Sequence, residues 1–366
     1  MHQVLRRGVA VAMTAAVVTA LAVPAAQAAP ARQRWSVAIP GATSITAPEP
    51  GAGRVYVGFT TAAGTGGIRA LDATTGATLW TRGLALPINV PPDYAPSVDL
   101  LYTATRSHVL ALDPRNGKTV AIADTIETFD EIEALHFADG RLYTETRHDL
   151  AAYTPRLRLQ WDYLLDDDPA PFDAPGDGFV YLNDEEDDPA AAFRQCMEKV
   201  DGARGVQVAR NCNIDAFVVP VALPAANAVV GVGASSSPGS PVYAFRASNL
   251  TLRWTRPFDI FVSADATTAG GGRVAVSADH DLYLLRLTDG TTACHLHMNS
   301  DTFGEPVFDP SGALLISIGA GTGGNLTKLS PACQVLWRTT ASLDQVVATT
   351  GSVLGTNGTR VIALRP

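Results

Sequence analysis

The feature that most constrains this chain is a tryptophan-anchored repeat with a period of about 40 residues. Its fullest copy reads Ala70-Leu71-Asp72-Ala73-Thr74-Thr75-Gly76-Ala77-Thr78-Leu79-Trp80, and all five tryptophans (Trp35, Trp80, Trp161, Trp254 and Trp337) stand at its last position. Further copies cover 111–121, 152–161, 244–254, 284–294 and 328–337, with Ala121 and Cys294 in place of the indole in two of them. Successive anchors lie 45, 41, 40, 93, 40 and 43 residues apart, so one degenerate unit is expected between Trp161 and Trp254. The last copy stops at Ala363-Leu364-Arg365-Pro366, and its missing half is Arg32-Gln33-Arg34-Trp35. That makes eight units. A period of 40–50 residues built of strands is the mark of propeller blades, and a copy broken across both ends implies a closed ring.

Local patterning agrees. Short β-branched or aromatic runs such as Arg54-Val55-Tyr56-Val57-Gly58, Leu100-Leu101-Tyr102-Thr103 and Arg141-Leu142-Tyr143-Thr144 are bounded by Gly, Asp, Asn or Pro. Each unit therefore reads as two successive hairpins, the content of a four-stranded antiparallel blade. Within the repeat, the small Ala suits close packing on the next blade. Asp bonds its own turn, and Gly supplies a positive φ. Trp brings a large ring whose N–H needs a partner. The tryptophans are expected to form a structural ladder.

Residues 1–28 read as a cleaved secretory signal: Arg6 and Arg7, an apolar stretch over 9–23, then Ala26-Gln27-Ala28. The expected mature protein is exported, free of a membrane span, and monomeric. Its four cysteines suggest two disulfides, with Cys196–Cys212 and Cys294–Cys333 favoured by proximity and by their places in the repeat. The net charge of -9 argues against nucleic acid and against an electrostatic hold on anionic lipid.

Residues 166–215 depart from the visible pattern. Asp166, Asp167, Asp168, Asp173, Asp177, Asp184, Glu185, Glu186, Asp187 and Asp188 fall in a stretch without Lys or Arg. Asp188-Pro189 then suggests a helix start, running through Ala190 to about Val200 and ending at Asp201-Gly202. The segment is expected to be a disulfide-clipped insertion with one small helix. Its Asp184, Glu185, Glu186 and Asp187 are weak Ca²⁺ candidates, because they lack the spacing of a known calcium loop. His295 and His297 share a strand face, but two ligands do not make a metal site. His148-Asp149-Leu150 and His280-Asp281-Leu282 are expected in the same turn of two units. The G-x-G-x-x-G run over 319–324 lies between strands with no helix after it, so it reads as a turn, like Gly64-Thr65-Gly66-Gly67.

The pattern A-x-D-x-x-x-G-x-x-x-W, met in full by Ala70, Asp72, Gly76 and Trp80, resembles the blade motif of the quinoprotein-type, or PQQ-like, propellers. The resemblance implies an all-β, eight-bladed ring. It also implies one of two activities. The enzyme branch binds pyrroloquinoline quinone and calcium and usually carries adjacent cysteines; this chain has no Cys-Cys pair. The expected reading is thus the non-enzymatic branch: a secreted module of the extracellular space or cell envelope that binds or scaffolds another macromolecule, with no catalytic residues and no cofactor. The runner-up is a small PQQ-like oxidoreductase, or another propeller enzyme with a site at the axial mouth, which would bring the quinone and Ca²⁺.

Overall fold

In the computed structural model, the described residues are 31–88, 90–124, 131–165, 171–185, 195–214, 217–234, 240–258, 262–278, 280–297, 306–318, 325–339, 341, 343 and 345–365. They form eight antiparallel sheets. Blade 1 consists of Ala42–Ile45 and Glu49–Gly51, which share Arg54–Thr61 as partner, then Gly66–Asp72 and Thr78–Leu84. Blade 2 runs Asp93–Ala95, Leu100–Thr105, His108–Leu112 and Thr119–Asp124; blade 3 runs Ala134–Ala138, Arg141–Glu145, Asp149–Tyr153 and Leu159–Leu164. Blades 5, 6 and 7 follow the same order from Phe217–Leu223, Val262–Gly270 and Val307–Phe308 to the outer strands Leu252–Phe258, Thr292–His297 and Val335–Arg338. Blade 8 takes Gln345–Ala348, Val353–Asn357 and Arg360–Arg365 from the C-terminal end and Arg32–Ala38 from the N-terminal end. Trp35 pairs with Ala363, so the broken repeat is rejoined in space.

One row of directly paired residues crosses every blade from axis to rim. In blades 1 to 4 it is Glu49–Tyr56–Ala70–Trp80, Asp93–Tyr102–Ala111–Ala121, His136–Tyr143–Ala152–Trp161 and Asp173–Tyr181–Lys199–Ala209. In blades 5 to 8 it is Val221–Val230–Ala244–Trp254, Thr268–Ala275–Leu284–Cys294, Val307–Leu315–Lys328–Trp337 and Val347–Leu354–Ala363–Trp35. Directly opposed residues share a sheet face, so each row is one line of side chains. Beside the rim end of the row, all eight blades carry a register shift. Such a bulge bends the outer strand and raises its twist.

The rows explain the repeat. The indole at the rim packs on the turn of the next blade, where a Cβ added at Gly76, Gly117, Gly205 or Gly290 would lie 2.6–2.8 Å from ring atoms of Trp35, Trp80, Trp161 or Trp254. Those glycines also have φ between 65° and 73°. Sterics and backbone therefore both demand glycine. Where the rim residue is small, the turn residue is large: Ala121 faces Leu157, and Ala209 faces Leu250, both leucines keeping a positive φ. Trp337 packs with Ala31, and Cys294 is disulfide-bonded to Cys333, whose φ is also positive. Every seam thus pairs a complementary volume, and each of the eight apolar clusters fills one seam.

The expected insertion is instead an ordinary blade. Phe172–Asp173, Phe179–Glu185, Gln195–Asp201 and Val206–Ile214 form the four strands of blade 4. The expected helix is overturned over 195–200, which is a buried strand hydrogen-bonded on both sides; residues 186–194 lie outside the described set. Paired strands on both flanks override the local helix start signal. Asp201 does not end a helix. Its carboxylate accepts the N–H groups of Ala203 and Arg204, as that of Asp72 accepts those of Thr74 and Thr75. Lys199-Val200-Asp201-Gly202-Ala203-Arg204-Gly205-Val206-Gln207-Val208-Ala209 is therefore the missing copy, placing Ala209 48 residues after Trp161 and 45 before Trp254. Among the described residues the helical content is one 3₁₀ turn, Pro224–Ala226.

Candidate functional site

At the axial end of the rows, blades 1 to 4 each carry an ionisable residue. Inner strands are sheet edges, so their outward N–H groups need partners. In blades 1, 2 and 4 a carboxylate supplies one. Glu49 accepts from Tyr94 N–H, Asp93 Oδ2 from Phe137 N–H, and Asp173 Oδ2 from Ala222 N–H at 2.6 Å. Each acceptor belongs to one blade and each donor to the next, immediately after the next blade's own row residue. Blade 3 places His136 at this position, with Nδ1 3.2 Å from Asp93 Oδ2. The side chain of His136 is about half exposed, at 49%, whereas that of Asp93 is 17% exposed.

Proton affinity is raised at three positions of this half-ring. Burial, joined by the charge of Asp93, pushes Glu49 up to about 8 against the opposing Tyr94 N–H and the charge of His136. The hydrogen bond to Asp93 raises His136 despite its partial burial, with Asp93, Asp173 and Glu49 adding charge attraction. Burial likewise raises Asp173, opposed by the Ala222 N–H and by His136. A carboxyl moved up to about 8, as at Glu49, can give or take a proton near neutral pH. Around the rest of the ring the same position is taken by Val221, Thr268, Val307 and Val347.

Of the residues singled out from sequence, the tryptophans are inter-blade anchors. Trp35 Nε1 donates to Ala73 O, Trp80 to Pro114 O, Trp161 to Gly202 O and Trp254 to Leu287 O, all at 3.0–3.1 Å. Four tyrosines from blades 1 to 4 reach carbonyls at the same turn position, two of them shared with a tryptophan: Tyr56 to Pro114, Tyr102 to Pro155, Tyr143 to Gly202 and Tyr181 to Ala247. Both disulfides, Cys196–Cys212 and Cys294–Cys333, are formed. His295 Nε2 and His297 Nδ1 meet one oxygen of Asp281, at 2.8 and 3.0 Å. Burial opposes them, but these hydrogen bonds hold Asp281 below the usual carboxylate range. Asp149 and Asp281 begin the third strands of blades 3 and 6 at matching register, so the two His-Asp-Leu turns lie on one face of the ring.

Asp184 is buried at the end of the second strand of blade 4, with Glu185 beside it; Glu186, Asp187 and Asp188, Asp166 to Asp168, and residues 319–324 lie outside the described set. Among the described residues no three His, Cys, Asp or Glu side chains are placed to hold a metal ion, and no helix is long and apolar enough to cross a membrane. The axial half-ring of Glu49, Asp93, His136 and Asp173 was not foreseen from sequence.

A family model described as "Outer membrane protein assembly factor BamB" matches residues 2–154. No curated protein matches the sequence. The fold resembles BamB from Moraxella catarrhalis (TM-score 0.71, 13% identity, covering 92% of this chain and 100% of that one). It also resembles the computationally designed protein Ika8 (0.73, 13%, 92% and 100%). A third likeness is to the quinohemoprotein alcohol dehydrogenase ADHIIG from Pseudomonas putida HK5 (0.66, 10%, 92% and 76%). The family model spans less than half of the chain, and these likenesses, together with the eight four-stranded blades, show the fold: an eight-bladed β-propeller.

Proposed function

We propose that the chain is a secreted, non-catalytic propeller that binds or scaffolds a protein partner in the extracellular space or cell envelope. The observation that carries this reading is the rim of blades 2 to 4. Their outer strands each expose two large apolar side chains: Val120 and Ile122, Leu159 and Leu164, Val206 and Val208. Leu164 is 75% exposed and Ile122 57%. Apolar side chains repeated along consecutive edge strands are what a partner would cover. The whole-length likeness to BamB supports the reading, as do two formed disulfides, which suit an oxidising compartment.

The test uses the mature protein in cross-linking capture from culture supernatant and envelope fractions. Capture of a defined partner should fall at least tenfold in Ile122→Lys/Leu164→Lys/Val208→Lys, with the melting temperature within a few degrees of wild type. Undiminished capture would remove the rim from the interaction. In parallel, pyrroloquinoline quinone with Ca²⁺ is expected to leave the melting temperature unchanged. A rise of several degrees would favour the oxidoreductase reading instead.

A further inference from the structure

At six of the eight seams the ring uses one fastening in two parts: a rim residue filling the next blade's turn, and a side-chain donor bonding that turn's carbonyl; at seam 7/8 Trp337 fills the space beside Ala31 without a hydrogen-bond partner for its Nε1 among the described residues. Trp35, Trp80, Trp161 and Trp254 supply both parts at four seams. At seam 2/3, Leu157 fills the space beside Ala121 and Tyr102 O–H donates to Pro155 O at 3.0 Å. At seam 4/5, Leu250 fills the space beside Ala209, while Tyr181 O–H and Lys199 Nζ donate to Ala247 O at 3.4 and 2.7 Å. At seam 6/7 the turn is filled by the Cys294–Cys333 pair itself, and among the described side chains of its row, Ala275, Leu284 and Cys294, none is a donor for that carbonyl.

The remaining contacts at seam 6/7 are aliphatic, from Ala275, Leu282 and Leu284 to Leu314, Ile316 and Leu329, with Phe308 at the margin. The turns of blades 6 and 7 meet backbone to backbone, a Cβ on Gly271 falling 3.3 Å from Gly312 Cα. The other disulfide differs in kind. Cys196–Cys212 spans 16 residues between adjacent strands of blade 4 that are already paired along their length. Its loss leaves seam 4/5 fastened by Tyr181, Lys199 and Leu250.

We propose that seam 6/7 is a redox-operated opening in the ring. A dithiol reductant transfers two electrons and two protons to the Cys294–Cys333 bond, giving two thiols and the reductant's own disulfide. Reduction cuts the covalent link at a seam that has no indole and no side-chain donor to the turn carbonyl among the described residues. The ring then opens between blades 6 and 7 while the other seams hold, uncovering the aliphatic faces of both blades. A disulfide oxidant that takes the two electrons and two protons, and leaves as its dithiol, re-forms the bond and closes the ring.

Hydrogen exchange of the mature protein, followed by mass spectrometry during dithiothreitol titration, tests this, with each thiol pair tracked by alkylation. Once Cys294 and Cys333 are reduced, exchange should rise at least tenfold in Thr292–His297, Leu314–Ile318 and Asn325–Leu329 and stay unchanged in Arg54–Thr61 and Leu100–Thr105. A uniform rise across the ring, or none, overturns the proposal. Two variants make it independent of reductant. Cys294→Ser/Cys333→Ser should exchange fast in those strands without dithiothreitol; protection equal to oxidised wild type overturns the proposal. Cys294→Trp/Cys333→Gly installs the fastening of the four tryptophan seams and should stay protected with or without dithiothreitol. If that variant folds and still opens on reduction, the proposal is overturned.

Discussion

Compared row by row, blades 1 to 4 place Glu49, Asp93, His136 and Asp173 at the axis with tyrosine behind each, whereas blades 5 to 8 place Val221, Thr268, Val307 and Val347 there with Val230, Ala275, Leu315 and Leu354 behind. Pairing, bulge and turn are the same in both halves. The backbone therefore does not require the polar half, since four blades close without it. What the polar half adds is hydrogen bonding at both ends of the row: carboxylates on the next inner strand and phenols on the next turn. The apolar half relies on packing, on the indole N–H bonds of Trp254 and Trp35 and, at one seam, on a covalent bond. The match to the BamB family model ends at residue 154, inside the polar half.

The contrast can be broken first at its strongest contact. Trp161→Ala removes a buried indole and leaves Gly205 without its cover, and should cost about 3–5 kcal/mol in denaturant unfolding. A loss below about 1 kcal/mol would show that the ladder is not what holds seam 3/4. The volume rule is tested at seam 2/3. Ala121→Trp alone collides with Leu157 and should destabilise by about 1–3 kcal/mol. Adding Leu157→Gly should recover most of that loss, with a coupling energy of about 0.5–3 kcal/mol in the double-mutant cycle. Additive single effects would refute a paired choice of residues.

The next effect depends on pH. Glu145 is 3% exposed at the end of a second strand in the polar half, and burial, reinforced by the charge of Glu133, pushes it up to about 8. Between the ordinary carboxyl value and about 8, the folded chain holds a proton that the unfolded chain releases. This group's contribution is thus fully present at low pH and is lost as pH rises through that window. Glu145→Gln should leave stability at pH 4 unchanged and raise it at pH 8, by about 4 kcal/mol. A pH profile parallel to wild type would show that Glu145 ionises freely. The smallest effect is at the phenols: Tyr102→Phe should cost about 1 kcal/mol by loss of the bond to Pro155 O.

The rim half of each row was legible in sequence because its third and outer strands are joined by a short turn of nearly constant length, which keeps Ala70 and Trp80 ten residues apart in one copy and Ala244 and Trp254 ten apart in another. The axial half was not. Row partners on the first two strands lie 7, 9, 7 and 8 residues apart in blades 1 to 4, as 49 to 56, 93 to 102, 136 to 143 and 173 to 181. Tyrosine to motif start varies more, from 9 residues between Tyr102 and Ala111 to 18 between Tyr181 and Lys199. No fixed spacing connects the axis to the repeat, so only the fold brings Glu49, Asp93, His136 and Asp173 together. Blade 4 was hidden for a different reason. Lys199 and Ala209 replace the two most recognisable letters of the copy, and the compensating Leu250 belongs to the next unit.

The strand Arg32–Ala38 bears on how the molecule comes into being. Its partners are at the far end of the chain: Arg34 Nη1 reaches Ser352 Oγ across 318 residues, and Arg360 Nε reaches Ser36 Oγ across 324. Entropy makes such a long-range closure slow relative to hairpins that form locally. Until that pairing forms, Trp35 and the face of blade 1 it packs on stay open to whatever is nearby. Ring completion becomes a late, all-at-once checkpoint on assembly, and a chain cut short by a single strand would be marked by the exposed indole it could not cover.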